Sequence, residues 1–240
     1  MIERYSLPEM AGIWQDENKF RIMLEIEILA CEAHSRLGRV PKEAVKRIRK
    51  KAKFDIKQIS KIEEKTQHDI VAFVTNVSQY IGSDAQYLHI GMTSSDLLDT
   101  TLDVQLKRAS DILLTDLENL QKTLAAAAQK YKDTVCIGRT HGVHAEPMTF
   151  GLKLALWFDE TKRNIGRMRQ AKEVISYGKL SGAVGTYSNI DPQVEAYVCQ
   201  KLGLKPVNVA TQVIQRDIYA QYLSTLAIIA ASLEKFALEI

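Results

Sequence analysis

Apolar residues recur at spacings of three and four along several long stretches of the chain, and these stretches predict its helices. Such spacing places side chains on one face of an α-helix. The longest apolar seam predicts a helix over residues 95–131, about 55 Å long at a rise of ~1.5 Å per residue. Its members are Leu98, Leu102, Leu106, Ala109, Leu113, Leu117, Leu120 and Leu124. A second long helix is predicted from Met148 to about Ser176. A third seam comprises Tyr222, Leu226, Ile229, Leu233, Phe236 and Ile240.

These patterns predict an all-α protein with a long-helix bundle, because three long amphipathic helices need one another to bury their apolar faces. No segment alternates for long enough to predict a sheet. Residues 1–92 are predicted to form a small domain of shorter helices, and residues 93–240 part of a central bundle. The third seam still continues at Ile240 without a cap, so we expect the bundle to be incomplete there.

Composition adds limits on class and location. The net charge is +3 with 25% charged residues, and the basic run at 46–53 is best explained as a solvated helix face, so nucleic acid is not predicted as a partner. The first residues have no signal-peptide core, and no apolar run is long enough for a membrane span. The three cysteines are widely spaced, which is typical of free thiols in a reducing cytoplasm.

Polar groups cluster at the breaks between the predicted helices. Arg4 and Tyr5 could bind a phosphate or belong to a flexible terminus. His68 and Asp69, in "TQHDIVAF", could orient a substrate group, bind metal or form an exposed helix pair. His89 follows in the hinge before the long helix.

The long helix begins at a polar segment, "GMTSSDLLD". Thr93 and Asp96 have the spacing of a capping box, which is a structural role. Thr93 and Ser94 also lie where free N–H groups of a helix start could bind a carboxylate or phosphate. The glycine-rich segment "GKLSGAVGTY" at 178–187 is neither a P-loop nor GxGxxG, and it predicts a tight loop.

The densest polar stretch is "TVCIGRTHGVHAEPMTFGLKLALW" at 134–157. Its first part lies between two helical patterns and is therefore predicted to be a loop. His141, His144 and nearby Glu146 form only a weak metal pattern, since a metal site needs three or more placed ligands. A histidine that titrates near neutrality favours acid–base chemistry.

Taken together, these segments and the opening "MIERYSLPEM" resemble the bacterial adenylosuccinate lyases of the fumarase/aspartase superfamily. The resemblance extends in order over essentially all 240 residues. It implies β-elimination of fumarate from adenylosuccinate, giving AMP, and from the related succinylated imidazole carboxamide ribotide. It implies no metal and no organic cofactor, a small-molecule nucleotide substrate, and a cytoplasmic homotetramer whose active sites are shared between subunits.

The resemblance also implies roles for individual residues. His141 matches the family's general acid, and Thr140 stands beside it in the substrate pocket. His68 is the second residue expected to be catalytic, and it is expected to orient or charge-balance the site. The other implied substrate contacts are Asp69, Thr93, Ser94 and Gln212, with Arg4, Tyr5 and His89 near the nucleotide and its phosphate. Lys65 and Arg216 are possible neighbours.

One departure limits what the chain is expected to do alone. The superfamily loop GSSxMPxKxN, which supplies the serine taken as the catalytic base, does not occur in these 240 residues. We therefore expect the chain to be the first part of a longer enzyme and to have little or no activity by itself.

Three alternatives remain at this point. Argininosuccinate lyase is a near neighbour in the same superfamily. An HD-type metal phosphohydrolase would use His68 and Asp69 with an earlier histidine such as His34. A non-catalytic helical oligomerisation module would explain the apolar seams but not the histidine-rich segment.

Overall fold

A computed structural model of the chain describes residues 2–240, and most of them are helical, which confirms the all-α prediction. The helices are α1 (Pro8–Ile13), α2 (Asp16–Arg36), α3 (Lys42–Lys51), α4 (Ile56–Thr66), α5 (Asp69–Ile81), α6 (Ser94–Lys130), α7 (Phe150–Val174), α8 (Pro192–Leu202) and α9 (Asp217–Glu239). Short 3₁₀ helices cover Glu3–Tyr5 and Gly82–Tyr87. The strands are β1 (Val135–Thr140), β2 (Val143–Thr149), β3 (Tyr177–Gly178) and β4 (Lys205–Pro206).

The chain groups into two compact units. One comprises Met1–Arg108 and Ser176–Arg216, and the other comprises Ala109–Ile175 and Asp217–Ile240. The division into an N-terminal helical domain at 1–92 and part of a central bundle domain at 93–240 stays a prediction.

The first unit has a continuous apolar core built around α2. This helix contributes Met23 and Ile26, which are almost completely buried, and Phe73 of α5 is buried with them. Phe20 stacks on Phe73 with ring centroids 5.6 Å apart. In the same unit β3 and β4 pair in parallel, which joins the segment after Ile175 to the segment that follows α8.

The second unit contains three long helical segments: the part of α6 from Ala109 onward, α7 and α9. Trp157 and Phe236 stack at 4.8 Å between centroids and are buried with Leu124 and Leu154. The same unit has an apolar groove of about 300 Å³, lined mainly by leucines of α6 and α9. Its apolar lining includes Leu113, Leu117, Leu120, Leu226, Ile229 and Leu233.

The long helices agree closely with the seams. The helix predicted over 95–131 is α6, Ser94–Lys130, and the later two are α7 and α9. The main local difference is at residues 135–149. They form an antiparallel hairpin, β1–β2, where a loop was predicted.

None of the helices in the described residues is long and apolar enough to cross a membrane.

The basic run at 46–53 lies largely on α3 and is paired with acidic side chains. Arg47 binds Asp84 with both contacts at 2.8 Å, and Arg49 binds Glu32 at 2.8 Å. Two of its arginines are therefore neutralised by acidic partners.

Candidate active site

The tip of the β1–β2 hairpin is formed by His141 and Gly142. The register pairs Thr140 with Val143, so only these two residues connect the strands. Both have positive φ, 53° and 74°. Positive φ at both central residues is the property of a type I′ turn, which suits the twist of a two-residue hairpin. His141 is exposed at this tip, and Thr140 is exposed beside it.

A β-bulge interrupts the hairpin between its base and its tip. Ile137 pairs with Pro147 and Arg139 with His144, so Gly138 faces both Ala145 and Glu146. A Cβ on Gly138 would lie 2.8 Å from the Glu146 carbonyl oxygen, which explains the glycine. His144 is exposed on β2.

The histidines do not form a metal centre. Across residues 2–240, no group of three or more histidine, cysteine, aspartate or glutamate side chains is arranged to hold a metal ion. The set of His34, His68 and Asp69 required by the phosphohydrolase alternative is thus not assembled. His34 is buried instead, with Nε2 3.3 Å from the carbonyl oxygen of Ile90.

His68 occupies the N-cap of α5 and contacts the start of α6. Its Nδ1 accepts a hydrogen bond from the Val71 N–H at 3.3 Å, so the neutral ring carries its proton on Nε2. That nitrogen lies 3.4 Å from Ser94 Oγ, to which it can donate. Asp69 lies beside His68, with its Oδ1 3.5 Å from Nδ1. The N-cap bond of Nδ1 thus directs Nε2 toward Ser94.

Asp96 fixes the segment that carries Thr93 and Ser94. Its carboxylate accepts the Thr93 N–H at 2.9 Å, as the capping-box spacing predicts. It also accepts the N–H groups of Ser181 at 3.2 Å and Gly182 at 3.1 Å, and it forms an ion pair with Lys179. Both charged side chains are completely buried. The start of α6 and the glycine-rich segment are thereby joined through one carboxylate.

A second buried carboxylate, Glu195 of α8, holds the same glycine-rich segment from another side. It accepts the Leu180 N–H at 2.8 Å and the Tyr187 hydroxyl at 2.7 Å. Burial raises the pKa of Glu195, and these two hydrogen bonds oppose the rise. Burial and the bond to Glu195 raise the pKa of Tyr187. The segment 178–187 is therefore held by hydrogen bonds to two buried carboxylates, Asp96 and Glu195, which agrees with the predicted tight loop.

His89 is held by Glu27, a residue that the sequence did not single out. Glu27 accepts the His89 backbone N–H at 2.8 Å and contacts its ring Nδ1 at 2.6 Å. Two residues later, Gly91 has φ +70°, and a Cβ there would lie 2.1 Å from the carbonyl oxygen of Asn189. Only glycine fits this close approach.

Gln212 is exposed on the segment between β4 and α9. Asp99 of α6 anchors that segment by accepting the Ile214 N–H at 2.8 Å. Arg216 also binds Asp99 through two contacts, at 2.9 and 3.1 Å. The possible neighbour Arg216 is thus a bidentate anchor for the loop that carries Gln212.

Three other sequence-predicted residues, Arg4, Tyr5 and Lys65, lie on the surface. Arg4 lies over the exposed Tyr5 ring, 4.7 Å from guanidinium carbon to centroid. Lys65 is in the last turn of α4. The structure therefore brings His68 together with Ser94, and it binds the segments of Thr93, His89 and Gln212 through carboxylates.

The sequence did not indicate Glu27, Asp99 or the pairing of Asp96 with Lys179, because the partners are remote in sequence. His89 is 62 residues from Glu27, Lys179 is 83 from Asp96, and Arg216 is 117 from Asp99. The hairpin, in contrast, had a local signal. A His-Gly pair that follows a stretch rich in β-branched residues resembles the Asn-Gly pattern of two-residue turns.

Comparison with known proteins shows where the chain belongs. It is 58% identical to an adenylosuccinate lyase of Bacillus subtilis (strain 168) and 52% identical to one of Staphylococcus saprophyticus. Both matches cover all of this chain and 56% of the relative, so the chain spans about half the length of these curated relatives.

Solved structures and the family model agree with this relationship. A fumarate lyase from Mesorhizobium sp. BNC1 superposes with a TM-score of 0.90 at 28% identity, over 96% of this chain and 56% of that one. A family model described as a lyase matches residues 3–240. The chain therefore belongs to this lyase family, within the fumarase/aspartase superfamily.

Proposed function

We propose that the chain forms part of an adenylosuccinate lyase. The reaction is the β-elimination of fumarate from adenylosuccinate, which leaves AMP, and from the succinylated imidazole carboxamide ribotide. A base takes a proton from the carbon next to a carboxylate, a C=C bond forms, and the C–N bond breaks. The departing nitrogen receives a proton from an acid. Identities of 58% and 52% over the whole chain favour this substrate class.

The observation that carries the proposal is the conformation of His141. It is an exposed histidine in the left-handed region at the tip of a bulged hairpin. Non-glycine residues in this region carry a conformational cost, and they concentrate at functional sites. A histidine can donate a proton near neutral pH, so we assign His141 as the general acid and Thr140 as its neighbour in the substrate pocket.

The first unit supplies the substrate contacts in this proposal. The contact between His68 and Ser94 supports a role for both in orienting substrate. Thr93 and Ser94 lie at the start of α6, where helix N–H groups favour an anion. Asp69 and Gln212 complete the set, and Arg4, Tyr5 and His89 are assigned to the nucleotide and its phosphate.

The base is assigned to the superfamily's serine loop, which these 240 residues do not contain. The chain alone is therefore expected to be inactive. We further propose that the working enzyme is a cytoplasmic homotetramer with shared active sites and needs no cofactor. The apolar groove on the second unit, and exposed leucines on α7 and α9, support self-association.

The test compares the chain alone with a chimaera in which the remaining part of the Bacillus subtilis relative follows Ile240. Adenylosuccinate cleavage is followed by ultraviolet absorbance. In the chimaera, His141→Asn is expected to lower kcat by about 10²–10⁴-fold, because the leaving nitrogen loses its acid. Asparagine is favoured at the first position of a type I′ turn before glycine, so the hairpin should persist.

His144→Asn is the matched control, since His144 is exposed on the same hairpin. It should keep kcat within about threefold of the parent. Near-normal turnover by His141→Asn, or an equal loss in both variants, would contradict the assignment of the acid. A chimaera that folds but does not cleave adenylosuccinate would contradict the proposed substrate.

A further inference from the structure

The buried carboxylate of Glu27 contacts His89 through both of its oxygens. Glu27 Oε2 accepts the His89 backbone N–H at 2.8 Å, and Oε1 lies 2.6 Å from ring Nδ1. The Glu27 side chain is 1% exposed and the His89 side chain 23% exposed. A buried carboxylate needs hydrogen-bond donors, and here His89 supplies two of them. The pair fixes both the backbone and the ring of His89.

The backbone of His89 requires this support. Its φ is +58°, a region that non-glycine residues occupy at some cost. The bond from the backbone N–H to Glu27 offsets that cost. Because Nδ1 faces Glu27, the ring's other nitrogen, Nε2, points away from the carboxylate. The part of the ring that reaches solvent therefore includes a nitrogen that donates a proton when the ring is charged.

The charged groups around His89 favour the imidazolium form. Burial lowers the pKa of His89, but the hydrogen bond and charge of Glu27 on α2 and the charge of Asp96 on α6 outweigh it and raise the pKa above its ordinary value. Lys179 is paired with Asp96 and reduces that second contribution. His34, also on α2, has its pKa lowered by burial and does not compete as a cation.

We propose that Glu27 is a positioning residue, which holds His89 as a cation with Nε2–H presented to a phosphoryl group of the ligand. The choice of a phosphoryl group rests on the proposed function, since a nucleotide substrate carries one. Glu27 does not touch the ligand in this arrangement. It acts by setting the charge and the orientation of His89, five residues before the start of α6.

The first test measures the titration of His89 in the 240-residue chain by NMR of ¹³C-labelled imidazoles. The sequence has five histidines, and loss of one signal in His89→Gln assigns the resonance. The midpoint of His89 should lie above the ordinary value of 6.5. In Glu27→Gln it should fall by at least about one pH unit, since the charged acceptor is gone.

Glu32→Gln is the matched control. Glu32 is on the same helix but binds Arg49 and Tyr197, so its loss should leave the His89 midpoint unchanged. A wild-type midpoint at or below 6.5 would overturn the proposal even if Glu27→Gln fails to fold. Equal midpoints in wild type and Glu27→Gln would do the same. Glu27→Asp, which keeps the charge on a shorter side chain, should restore part of the shift.

The second test adds inorganic phosphate or AMP to the same samples. At a pH below the His89 midpoint, either anion should shift the His89 resonance, and either should raise the midpoint. For Glu27→Gln the apparent affinity for each anion should be about tenfold weaker. No response of His89 to either anion would overturn the phosphoryl assignment. If His89 responds to the anions but the chimaera does not cleave adenylosuccinate, the anion site is supported and only the proposed reaction is refuted.

The third test uses the active chimaera. Glu27→Gln should raise KM about tenfold or more while changing kcat less than about threefold. In the parent, KM should rise as pH increases through the raised pKa of His89, because the cation is lost there. In Glu27→Gln that rise should begin at a lower pH. A fall in kcat with unchanged KM would contradict a positioning role in binding.

Discussion

Left-handed backbone conformations occur at a few non-glycine residues of the chain. Within residues 2–240, the non-glycine residues with positive φ are Gln67, His89, His141 and Tyr187. Gln67 immediately precedes His68, and Tyr187 ends the segment held by Glu195. Such conformations persist only where surrounding contacts determine them. His89 and His141 have proposed roles themselves and Gln67 adjoins His68, so three of these four residues have or adjoin a proposed role.

The close approach of Gly91 to the carbonyl oxygen of Asn189 can be tested by adding a single methyl group. In Gly91→Ala the new methyl group would lie 2.1 Å from the Asn189 carbonyl oxygen, at a φ of +70°. We expect a loss of roughly 3–4 kcal/mol in the free energy of unfolding, from the left-handed backbone and the overlap together. Urea unfolding followed by circular dichroism measures it.

The control for this variant is Gly38→Ala. Gly38 has φ +76°, but no atom lies within 4 Å of the place that a Cβ would take there. It should therefore lose only about 1–2 kcal/mol, the backbone contribution alone. If the two variants were equally stable, the close approach of Gly91 to Asn189 would be contradicted.

At the scale of elements, the start of α6 is joined to the segment at 178–187 by the buried pair of Asp96 and Lys179. Lys179→Met removes the cation and leaves Asp96 with a buried, uncompensated charge. We expect a loss of about 3–5 kcal/mol in the free energy of unfolding. Chemical unfolding of the 240-residue chain tests this value.

Two further variants separate the ion pair from general packing. Asp96→Asn combined with Lys179→Met removes both charges and should recover at least half of the loss, a coupling of about 2 kcal/mol. Arg163→Met breaks an exposed pair with Asp159 on α7 and should cost less than about 1 kcal/mol. Strict additivity of the two single changes would show that the buried charges do not stabilise each other.

The elements also show what the sequence can predict. The three long helices follow from apolar spacing, because a helical face is a local pattern, and α6 differs from its prediction by one residue at each end. The hairpin was mistaken for a loop because glycine and proline interrupt its strands. Gly138 sits at a bulge and Pro147 in a two-stranded ribbon, where a missing N–H is tolerated.

The candidate site divides in the same way. His68, Ser94 and His141 could be proposed because their residue types and neighbours form recognisable motifs. Glu27, Asp99 and the pairing of Lys179 could not, since each depends on a contact between residues far apart in the chain. A buried glutamate on an amphipathic helix has no local pattern that separates it from an exposed one.

At the scale of the whole molecule, apolar side chains remain exposed on the second unit. Leu152 and Leu156 of α7 and Leu223 of α9 are each about 60% exposed. Exposed apolar surface favours association where it meets the same surface of another copy. We expect the chain to form oligomers whose mass approaches four times the 27.0 kDa of one chain. Light scattering coupled to size-exclusion chromatography measures this mass.

The variant Leu156→Lys with Leu223→Lys should shift the chain toward the monomer at equal helicity, because charges on these faces oppose burial. Gln221→Lys adds the same charge at an exposed polar position of α9 and should leave the mass unchanged. A wild-type chain that is monomeric at all concentrations would contradict the proposed self-association of this unit.

The bulge opposite Gly138 has a consequence for how the hairpin can change over evolution. Ala145 and Glu146 together face one residue, so β2 carries one residue more than regular pairing needs. Deleting either one would restore regular pairing with Arg139 still opposite His144, and it would remove the bend and the added twist that the bulge gives to β2. Substitutions away from Gly138 and the turn keep this bend, whereas insertions and deletions in the ribbon change it. Among descendants of one ancestral gene, the length between Gly138 and Glu146 should change more slowly than the residues that fill it.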